Sequence, residues 1–530
     1  MIRAIVLLGL AVVFSQNTLA QELSPQSLFN RCYIQLTGTP VPLGHALMAD
    51  VKSGKISALN ACNSILRKGL LSSSGTLSVN DKEGKAVLNN FYTFHRTWFP
   101  VNNFDSIGGY SASEENGTMD IYDATEPALS VTYSVFGAGQ KYSDTLTRTT
   151  GIRALRVEDV SVKTRLKYTN LPNPGRMLST NVNMSKSPFT FRSVSPGNTV
   201  TNRNIHKHIS EKAAMPVLDV GDLVGVRPAT ETFIVPNISL APLGAKPSDK
   251  GNLTANLNYS YDFFKNHGGG VMGSPIYLMQ YYGHGMNMKF NGASKVARRW
   301  SQQNMETFLC ANLPALRESD VAKFVDTKSS LAFRNSASCV MCHATLDPMA
   351  YTTRNFTIGA TDYLRPTQDG DNVIVDGVRV NAPAAFARNS MAITTYAAVK
   401  PSVSGWPSES VADFHLQQPT GRLYFRSVQG ALVDTPVSNL AGLGAAMVET
   451  DDYYLCAAKR YFEFMTGIQV PLYDRTDPKN SDLNKALTAE AGRDRMYVEE
   501  LASTLRQTGS VVDVVEKIMS SPYFRQENYR

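Results

Sequence analysis

The sequence predicts a mainly α chain with irregular loops, α+β overall, in which an N-terminal helical module and a helical C-terminal half flank a strand- and loop-rich middle region. Three observations carry this. Apolar residues recur at helical spacing near both ends, alternating and turn-rich stretches crowd the segment from about 104 to 253, and helical patterning returns beyond it. With 530 residues, 43% hydrophobic and 18% charged, the chain is long enough for several subdomains and too apolar to be disordered. A formal net charge of +7 spread over that length is too dilute to mark a nucleic-acid binder.

Met1 to Ala20 carries Arg3, then an apolar run from Ile5 to Phe14, then Thr18-Leu19-Ala20. That order of charged, hydrophobic and small residues reads as a cleaved secretory signal peptide, with an uncleaved anchor as the competing reading. The mature chain is expected to begin near Gln21, and no later run reaches the roughly 18 to 20 apolar residues of a transmembrane span. A periplasmic, cell-surface or secreted location follows.

Ser24-Pro25 opens a first helix whose Leu28, Phe29, Cys32 and Leu36 share a face, and Gly38 and Pro40 end it. A second helix is predicted from about Lys55 to Leu66, with Leu59, Cys62, Ile65 and Leu66 together. Tyr92, His95 and Trp98 read as a packed aromatic cluster, and Asp120, Asp123 and Glu126 as a solvated acidic face in preference to a cation site. Ser130 to Val135 and Phe233 to Val235 alternate as strands, and Pro236 to Asn252 is the best linker. Helices return at Ser294 to Asn312 through Trp300 and Phe308, after an Asp451 cap, and at Val511, Val514, Val515, Ile518 and Met519. The resulting modules are a signal peptide at 1–20, an N-terminal helical module at 21–103, a strand- and loop-rich module at 104–253, a helical module at 254–325, a motif-bearing module at 326–430 and a C-terminal helical module at 431–530.

Six cysteines in an exported chain require partners. Cys32 and Cys62 lie in neighbouring N-terminal segments and Cys310 and Cys456 in two helical segments further on; all four are disulfide candidates whose connectivity the sequence leaves open. The remaining two stand in Cys339-Val340-Met341-Cys342-His343. A shuffled chain with 6 Cys and 8 His would show C-x-x-C-H roughly once in a thousand arrangements, so the motif is a strong signal for covalent haem. On a helix, two thiols and an imidazole at i, i+3 and i+4 share one face, which suits thioethers to two vinyl groups with the imidazole beneath the iron. Ser336 or Ser338 is placed to cap that helix, and Asp347 or a nearby carbonyl to accept a hydrogen bond from His343 Nδ1. The competing readings are a C-x-x-C disulfide and half of a zinc site.

Met391, 48 residues after His343, ranks first as distal iron ligand. Met349 and Met447 follow, then His284 and His415, and an open position is a further alternative. His284-Gly285-Met286-Asn287-Met288 and His206-Lys207-His208 read as ordinary loops rather than metal sites.

Cys339 to Pro348, reading C-V-M-C-H-A-T-L-D-P, resembles the planctomycete-type cytochrome-c-like proteins, a family of multi-module secreted proteins. Gly269 to Pro275, Arg298-Arg299-Trp300 and Phe308-Leu309-Cys310 are similar to the module that precedes the motif in that family, and Val448 through Gly467 with Met519 to Phe524 to its C-terminal helical module. The resemblance implies a helical, cytochrome-c-like C-terminal half holding one haem c, with Cys339 and Cys342 as thioether positions, His343 as proximal ligand, and Asp347-Pro348 as the turn ending the haem helix. Met349-Ala350-Tyr351 departs from the family's usual continuation. We also infer from the sequence a pairing of Cys310 with Cys456.

The function expected is electron transfer to a redox partner protein or small molecule through an exposed haem edge. The alternatives are a haem oxidoreductase or peroxidase-like enzyme with an open iron position, and an envelope binding protein with a structural haem. No catalytic residue is identifiable.

Overall fold

The computed structural model describes residues 21–77, 81–99, 125–156, 223–228, 297–354 and 418–527, with short pieces between 234 and 281 and between 356 and 395. Helix α1 (Pro25–Thr37) is capped by Ser24, whose hydroxyl accepts from Ser27 N at 3.1 Å, and closes at Gly38, where φ is +73°. After α2 (Ala46–Lys52), α3 (Ala58–Arg67) begins three residues later than the periodicity suggests, because Ser57 accepts from Asn60 N and fixes the start. Cys32 and Cys62 are joined in a disulfide that fastens α1 to α3, and α4 (Lys82–Arg96) packs across both.

The alternating run at Ser130 to Val135 is a helix, not the expected strand: α5 spans Glu126–Phe136 and every residue in it is buried. A helix surrounded by protein needs no polar face, so its 3.6-residue period disappears from the sequence. Its hydroxyls are satisfied inside the helix, Thr132 Oγ1 donating to the Ala128 carbonyl at 2.8 Å and Ser134 Oγ to that of Ser130 at 3.1 Å. Glu126 is correspondingly buried, at 7% exposure, and accepts a hydrogen bond from Ser274 Oγ, so it lies on no solvated face.

Strands β1 (Ile152–Arg156) and β2 (Leu223–Pro228) pair antiparallel beside α5, and β3 (Ile234–Pro236) pairs with β4 (Ser260–Asp262), one residue beyond the expected Phe233 start. Next come α6 (Arg298–Phe308) and α7 (Ala337–Ala350). Strand β5 (Phe356–Thr361) pairs with β9 (Ser390–Thr395), and β6 (Thr367–Asp369), β7 (Asn372–Val375) and β8 (Val378–Asn381) form a small antiparallel sheet. The hairpin of β10 (Gly421–Arg426) and β11 (Leu432–Val437) follows, with β10 lying against α7. Helices α8 (Leu440–Val448), α9 (Asp451–Thr466), α10 (Ala489–Thr508) and α11 (Val511–Ser520) complete the fold, α9 capped by Thr450 rather than by Asp451.

One cluster of buried side chains runs from Leu28 to Phe524, so the N- and C-terminal helices share a core. Phe94 of α4 stacks on Phe464 of α9 at 4.2 Å between centroids, and Cys310 is bonded to Cys456 in the middle of α9. The two ends of the described chain are bonded: Leu23 N donates to the Arg525 carbonyl and Glu527 N to that of Gln21, both at 2.8 Å. Among the described residues no helix is long and apolar enough to cross a membrane.

Candidate functional site

Helix α7 carries the C-x-x-C-H motif. Val340 and Met341 press into a small cluster with Leu316, Val321 and Tyr424, while Met349 and Ala350 enter the main core, so the helix is anchored at both ends. Cys339, Cys342 and His343 are half-buried and, by their i, i+3, i+4 spacing, share a face. Neither expected serine caps the helix through its side chain. Ser336 stands at the N-cap, but its Oγ bonds Ser338 Oγ at 2.7 Å, and the first turn is closed by the Ser336 carbonyl, which accepts from Val340 N at 3.0 Å.

The Asp347-Pro348 pair does not end this helix, which continues through Pro348 to Ala350 and into a 3-10 turn at Tyr351–Thr353. Proline removes one backbone donor, and full burial of Met349 and Ala350 offsets that loss. Because the helix persists, Asp347 remains one turn beyond His343, and its Oδ2 lies 3.1 Å from His343 Nδ1. An ionised carboxylate only accepts, so Nδ1 is the donor, and in the neutral ring Nε2 is then the nitrogen left with a lone pair. Arg298, at the start of α6, reaches the same carboxylate through Nε and through Nη2, the latter at 3.2 Å. Phe333 lies over the imidazole, with ring centroids 5.1 Å apart and a 30° tilt.

Four cysteines are closed in disulfides while Cys339 and Cys342 are free thiols. Burial, and secondarily the neighbouring Cys339, pushes the Cys342 thiol above its ordinary range. Among the described residues no group of three or more His, Cys, Asp or Glu side chains converges on a point that would hold a bare ion. Haem brings four nitrogens of its own and asks the protein for one or two axial ligands, so two free thiols beside an imidazole with an available Nε2 fit it.

The remaining candidates are dispersed. Met391 lies in β9 opposite Ala360. Met349 and Met447 are fully buried in the main core, filling space there. His206, His208, His284, Met286, Met288, His415, Asp120 and Asp123 lie outside the described residues. Of the expected aromatic cluster, His95 and Trp98 pack together: His95, fully buried, has Nδ1 2.8 Å from Thr132 Oγ1 and Nε2 2.8 Å from Tyr461 Oη, with Trp98 against its edge, while Tyr92 Oη donates to Thr125 Oγ1 at 2.6 Å. Burial lowers the His95 pKa to about 3, so the ring is neutral. Sequence reasoning had no means of linking Arg298 to Asp347, which stand 49 residues apart, or of placing Phe333 on His343. No family model matches the chain, and neither a curated protein nor a solved structure matches it.

Proposed function

We propose that the chain is an exported, single-haem c-type cytochrome-like protein of the family its motif resembles, passing electrons to a redox partner protein or small molecule. One observation carries this reading: two free, half-buried thiols and an Nδ1-anchored imidazole share one face of α7, in a chain whose other four cysteines are closed in disulfides. The disulfides are compatible with export.

In this role Cys339 and Cys342 would hold the group covalently through thioethers to its two vinyl positions. His343 would offer Nε2 to the iron. Asp347 keeps the proton on Nδ1, fixes the ring and raises its basicity, and Arg298 shares the carboxylate and tempers that effect. Phe333 and the cluster beneath Val340 and Met341 supply an apolar surround. Bound haem supplies a one-electron iron couple. Met391 is the proposed sixth ligand.

Expression in a host that matures c-type haem, followed by haem staining after denaturing electrophoresis and optical spectra with and without CO, tests the proposal. Covalent haem with a low-spin spectrum indifferent to CO is expected. A chain without covalent haem overturns the reading, and CO binding transfers it to an oxidoreductase with an open iron position.

A further inference from the structure

An open cleft of about 690 Å³ lies between the C-terminal ends of α4 and α6 and one side of α9, with the segment 469–472 at its rim. Its apolar wall is Phe94, Trp98, Phe464 and Leu472, and its charged residues are Glu306, Lys459, Arg460 and Glu463. Three of the four charges are already engaged. Glu463 accepts from Lys459 Nζ and Val470 N, each at 2.8 Å, and Glu306 accepts from Gln302 Nε2 at 2.7 Å.

Arg460 is different. Its guanidinium lies over Trp98, 4.7 Å from the ring centroid, and Nη2 makes a long 3.3 Å bond to the Glu306 carbonyl. No carboxylate pairs with it among the described residues. A guanidinium has five N–H donors in a planar fork matched to a carboxylate, and Arg460 feels the Glu463 carboxylate only through space, without an ion pair. That burial lowers the Arg460 pKa. The indole Nε1 of Trp98 is buried without a hydrogen-bond partner among the described residues.

We propose that this cleft binds a small aromatic carboxylate, its anion on the Arg460 fork and its ring against the wall of Phe94, Phe464 and Leu472. A flat ring meets three apolar side chains, and the carboxylate supplies the direct ion pair that Arg460 does not make with any described residue. The volume falls within the range of small-molecule sites. The proposal is independent of the haem reading.

Calorimetric titration of the full chain with benzoate, benzamide and acetate tests it, with 2-naphthoate as a larger ring. Benzoate or naphthoate should bind at least about tenfold more tightly than either benzamide or acetate, and Arg460→Met should remove that advantage. Equal affinity for benzoate and benzamide overturns the proposal, as does equal affinity for benzoate and acetate, which would leave a carboxylate hole with no selectivity for a ring. Absence of binding by both aromatic acids up to about 10 mM also overturns it. Leu472→Trp at the half-exposed rim obstructs the cleft without touching Arg460, so it serves if Arg460→Met does not fold. Unchanged benzoate affinity in Leu472→Trp counts against the site and a loss of about tenfold supports it.

Discussion

His343 and Asp347 are joined through Nδ1 and Oδ2 at 3.1 Å, one helical turn apart, on a helix that passes straight through Pro348. The bond fixes the imidazole tautomer, and Arg298 holds the carboxylate from another helix. In the haem-loaded protein proposed above, Asp347→Ala should therefore leave both thioethers in place while loosening the ring. We expect a shifted reduction potential and a roughly 10- to 100-fold weaker hold of the axial ligand on the iron, read by redox titration and imidazole competition. Unchanged potential and spectrum would remove Asp347 from this role.

The cysteine arrangement makes a countable prediction. Denatured but unreduced protein lacking haem should titrate two thiols, Cys339 and Cys342, and haem-loaded protein none. Replacing Cys32 and Cys62 by Ser should cost about 4 kcal/mol for a separation of 30 residues, and replacing Cys310 and Cys456 about 5 kcal/mol for 146 residues, as measured by denaturant unfolding.

Stability should depend on pH from two directions. Burial lowers His95 and His267 to about 3, so each favours the fold fully above its unfolded pKa near 6.5. Each contribution is lost as pH falls below that, at about 1.4 kcal/mol per unit. Asp452 is raised to about 7, chiefly by burial, so its contribution is present below about pH 4 and lost as pH rises through 7. Asp452→Asn keeps an acceptor for Val428 N and should be more stable than the parent at pH 8, by up to about 4 kcal/mol, with the difference vanishing near pH 4. Parallel urea unfolding curves at both pH values would contradict this.

On the proposed haem reading with Met391 as ligand, Met391→Ala should expose the iron to CO while covalent haem content stays the same. If CO binding is absent in both parent and variant, the sixth ligand lies elsewhere.

The elements legible in the sequence were those with one wet face. Helix α1 has its cap, first-turn proline and αL glycine in sequence order, and α11 buries Val511, Val514, Val515, Ile518 and Met519 as the spacing requires. Helix α5 was misread because burial on all sides erased its period, leaving β-branched residues that favour strands by composition. The thiols and imidazole of α7 were legible because they are contiguous, and Asp347 because it is one turn away. Arg298 and Phe333 reach His343's neighbourhood only through tertiary packing, as do Arg460 and Trp98 in the cleft. The passage of α7 through Pro348 ran against local propensity and was decided by burial of the residues beyond it.

The hydrogen bonds between residues 21–23 and 525–527 make the described chain a nearly closed ring. Residues 525–527 tether residues 21–23, so a chain truncated before Arg525 would leave the α1 end unfastened. The same closure makes the protein a natural host for circular permutation: a short Gly-Ser bridge across this junction would preserve the core, while new ends could be opened in the exposed turn around Leu43.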